Sequence, residues 1–440
     1  MAMVMNIFVP GLTRQQHDEL RTVDVGDEVS IHSLLDVDSL TQADHLDFQS
    51  LLRRARAELD AFDGSVDAVV PHWDFPTSVL APMLAAERSL PSPSIDSILS
   101  FEHKYWSRLI QNQAIPEQVP RFAAFDPFDP EVERSGVGLP FPLWIKPVKS
   151  HSSQLGFEVR GEEGFRDALE VIRREIRTVG HAFDEVLSTI DVPESVRGVT
   201  GTSCIAEQII TGTQVAPEVS MFQGDFVVHG FFDMRRSEDG HSFDSLCYPA
   251  RSVPPEVRDR MLVATERVLR EAGFDNGCAN AEFMWDERTD RIGMIEVNTR
   301  ISQSHSDLFV KVDGTSNHEY AIAVALGRRP RPKPGAGRFG AAAKHLIGVH
   351  KDGTVRAVPT DRDLVRLQDE FPDTVVQLAV KPGDRLSELP NQDPYRYVLA
   401  TVYLGAADYA ELPDVAARME GFLPFDIDHG DEEPRDRRTV

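Results

Sequence analysis

The sequence of 440 residues is poor in cysteine and in long apolar runs, and each shortage excludes a class of protein. Its three cysteines, Cys204, Cys247 and Cys278, are odd in number, lie far apart and form no CxxC pair, which argues against a disulfide framework or a zinc ribbon. No apolar stretch approaches the ~20 residues of a membrane span. The opening MAMVMNIFVP has no basic residue before its apolar run, so it predicts a buried strand rather than a signal peptide. Together these features favour the cytoplasm.

Basic residues are also in short supply, because 46 Lys and Arg face 71 Asp and Glu, for a formal net charge of −25. A surface of that sign repels phosphate backbones and anionic lipids, so we expect neither nucleic acid nor a membrane as a partner. A hydrophobic fraction of 41% is typical of a globular chain. The length predicts roughly two to four domains.

Strand-like and helix-like stretches alternate at the start of the chain. The segments 4–9, 28–35 and 65–73 are apolar strand candidates, with helical spacing of apolar residues over 43–62. This alternation predicts a small parallel α/β layer over about the first 95 residues. A Pro/Ser-rich segment, SLPSPSIDS, then indicates a linker.

The most informative stretch is AEFMWDERTDRIGMIEVNTRISQSH, residues 281–305. Strands over 278–287 and 292–298 flank a polar turn, so Glu282 and Glu296 can face each other. Since side chains alternate along a strand, Asn298 shares the face of Glu296.

Two carboxylates and an amide oxygen suit a hard cation such as Mg²⁺. Arg300, the next residue on that face, could clamp a phosphoryl group. The alternative is an exposed strand face with solvated charges. It fits the apolar strands poorly, because burying two carboxylates without a cation is costly.

Two lysines could contact phosphate as point charges. Lys104 lies on a predicted helix over 101–113, and Lys146 ends a predicted strand over 139–148. The Ser-rich loop that follows, which includes Ser153, can cover phosphates with hydroxyl and N–H groups. A lone lysine is usually a solvated surface residue, so the position of Lys146 between an apolar strand and this loop carries more weight.

The segment IAEQIITGTQ, residues 205–214, has an apolar strand with Glu207 near its end. The backbone near Ile209 could meet the edge of an adenine ring. An ordinary buried strand with one charged residue is the alternative, and it is favoured when the segment is considered alone.

Taken in chain order, these segments resemble the ATP-grasp superfamily over residues 65–348. HKYWSRLIQNQAIPEQVP is similar to the family's phosphate-contacting helix, with His103 in place of the acid before Lys104. WIKPVKSHSSQLGF resembles its strand and flap, although the flap has no glycine before Gly156. EQIITGTQ resembles its hinge, with Gln214 where an acidic ribose ligand often stands, and GCANAEFMWD…IGMIEVNTRIS resembles its metal-binding end.

This resemblance implies an ATP-grasp fold of the α/β class, with α+β character in the ATP-binding part. The implied domains are a Rossmann-like pre-ATP-grasp domain at 1–95, a nucleotide-binding and catalytic region at 96–330 with a flexible lid at about 140–212, a C-terminal lobe at 331–427, and a disordered tail at 428–440.

The resemblance also implies a role for each candidate side chain, with ATP as cosubstrate and Mg²⁺ or Mn²⁺ as cofactor. The implied ATP contacts are Lys104, Lys146, Ser153, Glu207, Ile209 and Gln214. The implied metal ligands are Glu282, Glu296 and Asn298, the implied catalytic residues are Arg300 and Lys146, and the substrate candidates are Arg251, Ser302 and His305.

The carboxylate–amine ligase branch of the family fits best, and it implies a small carboxylic acid and an amine, amino acids among them, as substrates. EVNTRISQSH is also similar to the biotin carboxylase motif E-M-N-T-R-I-Q-V-E-H, but Ser304 replaces its base and Ser302 its Gln. A carboxylase, an acid–thiol ligase and a non-catalytic ATP-binding protein remain alternatives. Homodimers are common among the relatives, so a homodimer is compatible with the resemblance.

Overall fold

The computed structural model describes residues 4–20, 23–41, 46–150, 155–236, 242–389 and 396–430. Strands and helices both occur in these ranges, which confirms the α/β class. The strands are β1 (Met5–Pro10), β2 (Val29–Leu34), β3 (Ala68–Val69), β4 (Phe122–Phe125), β5 (Leu143–Pro147), β6 (Phe157–Val159), β7 (Cys204–Gln208), β8 (Thr213–Phe222), β9 (Asp225–Arg236), β10 (Phe243–Tyr248), β11 (Gly277–Asp286), β12 (Arg291–Asn298), β13 (Ala341–Val349), β14 (Thr354–Ala357), β15 (Val375–Leu378), β16 (Tyr397–Ala406) and β17 (Asp426–Asp428). The helices are α1 (Arg14–Leu20), α2 (Val37–Thr41), α3 (Phe48–Asp60), α4 (Thr77–Glu87), α5 (Ile95–Glu102), α6 (Lys104–Ala114), α7 (Pro130–Ser135), α8 (Glu162–Leu187), α9 (Pro255–Glu271), α10 (Gln303–Asp313), α11 (Asn317–Ala325), α12 (Asp361–Glu370) and α13 (Leu412–Glu420).

The N-terminal residues form a parallel three-stranded sheet in the order β2-β1-β3, as the alternation of elements predicts. Successive side chains of β1 point to opposite faces. Phe8 packs in a core with Phe48 of α3, whereas Ile7 and Val9 pack in another with Ile322 of α11. Both faces of the sheet are therefore packed, and one of them is packed by α11, which follows the predicted metal-binding motif in the chain.

A second, antiparallel sheet has the order β4-β7-β5-β6 and packs against the long helix α8. The helix continues past Gly180 to Leu187. Gly180 does not end it, because this glycine lies against Gly201, where a Cβ on Gly180 would come within 2.7 Å of the Gly201 carbonyl oxygen. The absence of a side chain at Gly180 allows the helix backbone to lie close to the backbone of Gly201, and it does not mark the end of the helix.

The largest sheet has eight strands in the order β12-β11-β8-β9-β10-β13-β16-β15. On β8, Val215 and Val219 pack in the core that contains Met261 of α9. The alternate positions, Gln214 and Glu218, therefore point to the opposite face. That face carries α10 and the polar side chains described below.

The predicted single helix over 101–113 is wrong, because two helices, α5 and α6, meet at His103. His103 is extended, with φ −88° and ψ 96°, and its Nδ1 accepts a hydrogen bond of 3.1 Å from the backbone N–H of Trp106. A side chain that accepts from the first turn caps a helix. Lys104 is consequently the first residue of α6. Within the described ranges, no helix combines the length and apolarity that a bilayer crossing requires.

Candidate active site

The two carboxylates of the C-terminal motif face each other across a strand pair. Glu282 on β11 lies directly opposite Glu296 on β12, and a bulge follows this pair. Asn298 Nδ2 lies 3.4 Å from Glu282 Oε1, and Gln214 Nε2 donates to Glu282 Oε2 at 3.0 Å. The structure thus brings the three predicted metal ligands together, with Gln214 of β8 beside them.

This group is short of positive charge. Burial, together with the neighbouring charge of Glu296, raises the pKa of the Glu282 carboxyl above its ordinary value. A divalent cation would relieve both effects, and carboxylate and amide oxygens are the donors that Mg²⁺ prefers. Among the described residues, no group of three or more His, Cys, Asp and Glu side chains could hold a metal, so a cation bound by these oxygens would also need phosphate and water.

A second charged group is fully paired. The buried Glu207 accepts hydrogen bonds from Arg108 Nε at 2.6 Å and from Lys146 Nζ at 3.0 Å. Burial alone would raise the pKa of Glu207, but Arg108 and Lys146 outweigh it and bring the pKa down to about 2. The carboxylate is therefore engaged by two cations, while Ile209 lies half-buried just beyond the end of β7.

Arg108, which the sequence analysis missed, holds this group to the large sheet. Its Nη1 donates to the carbonyl oxygen of Met294 on β12 at 2.6 Å and to Gln111 Oε1 at 2.5 Å. Its side chain is 2% exposed. The available signal is its spacing, since Arg108 lies one helical turn after Lys104 on α6.

Lys104 lies at the start of α6 with its Nζ 3.1 Å from the carbonyl oxygen of Ser150. Burial lowers the pKa of Lys104 to about 8; Glu296 opposes the shift, and Lys149 and Lys146 add to it. The candidate phosphate lysines therefore lie within electrostatic range of each other and of the carboxylate pair. Ser153 lies outside the described residues.

Lys149, at the start of the Ser-rich loop, is paired with a carboxylate. Lys149 is buried, forms an ion pair with Glu102 at the end of α5, and lies over the rings of Phe75 and Phe183 at 5.3 and 5.8 Å. This arrangement neutralises Glu102 at the base of the loop.

Arg300 reaches across to the N-terminal sheet. Its Nε and Nη2 donate to Asp74 at 2.6 and 2.8 Å, and its Nη1 donates to the carbonyl oxygen of Ile301 at 3.1 Å. Asp74 follows β3, the last strand of the three-stranded sheet. The two-pronged pairing fixes the plane of the guanidinium beside the carboxylate pair.

The three substrate candidates occupy two separate settings. Arg251 has an exposed side chain, and its backbone N–H donates to Asp233 at 2.7 Å. The backbone N–H of Ser302 donates to Glu218 Oε2 at 3.0 Å, and the buried His305 contacts the same oxygen through Nδ1 at 2.7 Å. Ser302 and His305 thus share one carboxylate, and Arg251 belongs to a separate turn.

Glu218 is a second residue that the sequence analysis missed. It is fully buried in the middle of β8. A charged residue inside the apolar run VAPEVSMF is a signal that could have found it, because such a residue is buried only where donors surround it.

A groove of about 480 Å³ lies elsewhere, between α9 and the turn that joins β11 to β12. Its lining includes Glu117, Arg260 and Asp290, and contains none of the candidate ATP, metal or substrate residues. The candidate ATP, metal and substrate residues therefore lie outside this groove.

A sequence profile described as the ATP-grasp domain matches residues 139–306, which include β5, β7 and the β11–β12 pair. This chain contains an ATP-grasp domain. The match covers the predicted flap, hinge and metal-binding motifs, so the resemblance read from those segments is confirmed.

Solved structures extend the fold similarity over nearly the whole chain. An L-amino acid ligase from Bacillus licheniformis has a TM-score of 0.71 at 17% identity, covering 96% of this chain and 98% of that one. A carboxyaminoimidazole ribonucleotide synthase from Aspergillus clavatus, complexed with ATP, has a TM-score of 0.64 at 14% identity, covering 95% and 98%. A biotin carboxylase from Campylobacter jejuni has a TM-score of 0.60 at 15% identity, covering 96% and 92%. At these identities the likeness establishes the fold alone.

The curated relatives are much longer proteins. The carbamoyl phosphate synthase large chain of Xylella fastidiosa (strain Temecula1 / ATCC 700964) is 35% identical over 88 residues, which are 20% of this chain and 8% of that protein. The corresponding protein of Halomonas eurihalina is 28% identical over 214 residues, which are 46% and 19% of the two chains. The matched part of this chain therefore spans less than a fifth of the length of either relative.

Proposed function

We propose that the chain is a cytoplasmic ATP-dependent ligase that activates a carboxylic acid as an acyl phosphate and joins it to an amine, with release of ADP and phosphate. The observation that carries the proposal is the opposed pair Glu282 and Glu296, with Asn298 beside it and lysines within electrostatic range. That combination suits a cation and a polyphosphate together.

In this proposal Lys104 and Lys146 hold the phosphates of ATP, and the backbone near Ile209 meets the adenine. Glu207 keeps Lys146 in place by its 3.0 Å contact. Mg²⁺ held by Glu282, Glu296 and Asn298 would supply charge neutralisation at the phosphates.

Arg300 is the proposed contact for the transferred phosphoryl group and for the oxyanion that forms when the amine attacks. Its guanidinium is already oriented by Asp74, so little reorganisation is needed when charge develops. The acyl phosphate must be kept from water, and the buried surroundings of Lys149 and Glu102 beside the loop support this.

The L-amino acid ligase similarity supports an amine as acceptor, because that fold covers both chains almost completely. The proposed substrates are a small acid and an amine, with amino acids as the first candidates, and a homodimer is the proposed assembly. Bicarbonate activation is the second candidate, since biotin carboxylase and the carbamoyl phosphate synthase large chain are also similar. The absence of the biotin carboxylase base, replaced by Ser304, favours the first candidate.

The test is ADP release by the purified chain with ATP and Mg²⁺, against amino acids offered singly and in pairs, with bicarbonate as one of the acids. We expect ADP only with particular acid–amine pairs, and its loss in Glu296→Ala. Glu287→Ala, in the exposed turn between the two strands, is the matched control and should keep full activity. ADP release with bicarbonate alone would favour the second candidate, and binding of ATP without turnover on any acid would contradict both.

A further inference from the structure

Glu218 collects donors from one short segment of the chain. Its Oε2 accepts from the backbone N–H of Ser302 at 3.0 Å and from His305 Nδ1 at 2.7 Å, and its Oε1 accepts from Asn317 Nδ2 at 2.9 Å. A carboxylate in β8 thereby holds the start of α10 and the start of α11. Ser302 is two residues beyond Arg300, so the same contacts fix the chain next to that guanidinium.

The contact with Glu218 decides the tautomer of His305. An ionised carboxylate only accepts hydrogen bonds, so Nδ1 carries the proton and Nε2 presents a lone pair. Burial lowers the pKa of His305 below its ordinary value and Glu218 opposes that shift, so the net effect favours the neutral ring. Within the part of the chain that the structure describes, Nε2 has no hydrogen-bond partner, and the residue retains 3% exposure.

The ring of His305 is also fixed in orientation. It stacks on Phe232 of β9 with ring centroids 3.6 Å apart and an angle of 8° between the planes. It lies near enough to Arg300 and Lys344 for their charges to act on it. An oriented imidazole with a free lone pair, beside the proposed oxyanion contact, has the arrangement of a general base.

We propose that His305 is the general base that deprotonates the attacking amine and that Glu218 is the positioning residue that sets its tautomer and orientation. The inference rests on the proposed ligase function, which requires an amine that is protonated in water to become a nucleophile. His305 Nε2 takes one proton from the ammonium group, and the freed lone pair forms the C–N bond. The bond between the acyl carbon and the bridging oxygen breaks, its electron pair leaves with the phosphate, and that phosphate takes the second proton from the nitrogen.

His229 supplies a matched comparison. It lies against the same carboxylate, with Nδ1 3.7 Å from Glu218 Oε1, but its Nε2 is engaged by Ser220 Oγ at 3.0 Å and its side chain is fully buried. A histidine in that position can support Glu218 but cannot reach a substrate.

The experiment compares two nucleophiles on the same acyl phosphate. Hydroxylamine is largely unprotonated at neutral pH, so it attacks without a base, whereas an ordinary amine needs one. Wild type, His305→Gln and His229→Gln are assayed with one acid for the hydroxamate and for the amide. A general base contributes about 10²–10⁴-fold. We therefore expect the ratio of amide to hydroxamate to fall at least about a hundredfold in His305→Gln and to fall far less in His229→Gln, which keeps His305.

Glu218→Gln is a second variant, and His305→Asn replaces His305→Gln if the latter fails to fold. The thermal unfolding midpoint of each variant is measured first. Both variants should lower the ratio of amide to hydroxamate. An equal loss of both products in every folded His305 variant would assign the histidine a purely structural role and overturn the proposal, as would an unchanged ratio. Should wild type form neither product with any acid, the ligase function itself would fail, and the base would fail with it.

Discussion

Two charged groups of the candidate site differ in how completely they are neutralised. Glu207 lies between Arg108 and Lys146, and its pKa is held at about 2. Glu282 faces a second carboxylate, Glu296, and its pKa is raised. The first group is neutralised without a ligand, so we expect the loss of Glu207 to be seen first in stability. The second lacks that neutralisation, so we expect the loss of a carboxylate there to be seen first in cation binding and chemistry.

The comparison is tested most strongly by removing the central charge of the paired group. Glu207→Gln leaves the buried Arg108 and Lys146 without a full counter-charge, which should cost about 3–5 kcal/mol of unfolding free energy. Chemical denaturation measures the loss. The control is Glu158→Gln on β6, whose partner Arg160 is 79% exposed, and it should cost less than about 1 kcal/mol. Equal effects of the two changes would show that the Glu207 group stabilises the fold no more than an exposed ion pair does.

Removing one carboxylate from the pair Glu282 and Glu296, the unpaired group, should reduce activity without reducing stability. We expect Glu296→Gln to lower acid-dependent ADP formation at least about a hundredfold, equivalent to about 2.7 kcal/mol of barrier. Its unfolding midpoint should stay level or rise, because repulsion with Glu282 is relieved. Steady-state kinetics and thermal unfolding of the same preparation check both parts. A large fall in the midpoint would show that Glu296 is a structural residue.

The metal-dependent part of ligand stabilisation should act through the carboxylate pair Glu282 and Glu296. At about thirty times the dissociation constant, MgADP should raise the unfolding free energy by about 2 kcal/mol. EDTA should remove most of that gain in wild type. In Glu282→Gln we expect a much smaller difference with and without Mg²⁺, and a metal effect of unchanged size would place the cation elsewhere.

The smallest expected effect concerns Lys104. Its lowered pKa of about 8 means that it loses its positive charge as the pH rises through 8. ATP binding that depends on this charge should weaken about fourfold between pH 7 and 8.5, by proton linkage. Titration calorimetry at several pH values measures the change. Lys104→Arg stays charged and should flatten the profile, so an equally steep profile in that variant would assign the pH effect to another group.

Local patterns were enough to predict the strands that carry the metal candidates. The predicted 278–287 and 292–298 differ by one residue at most from the observed Gly277–Asp286 and Arg291–Asn298. Alternating apolar residues and a polar turn are local signals, so no tertiary information is needed. The face-to-face position of Glu282 follows from the same register.

The ion pairs could not be predicted in this way, because they join distant parts of the chain. Arg108 and Glu207 are 99 residues apart, and Asp74 and Arg300 are 226 residues apart. The sequence around each of these residues contains no pattern that identifies its partner. His103 illustrates a further limit, since an ordinary helical pattern conceals a side chain that caps the next helix.

The contact between Gly180 and Gly201 has a consequence for the evolution of this chain. A Cβ on Gly201 would come within 2.3 Å of the carbonyl oxygen of Gly180, and the reverse substitution meets the same obstacle. Neither position can accept even alanine unless α8 moves off the segment before β7. In a lineage that keeps this packing, the two sites should therefore be inherited as a pair, and a descendant that loses one glycine should show a shifted or shortened α8.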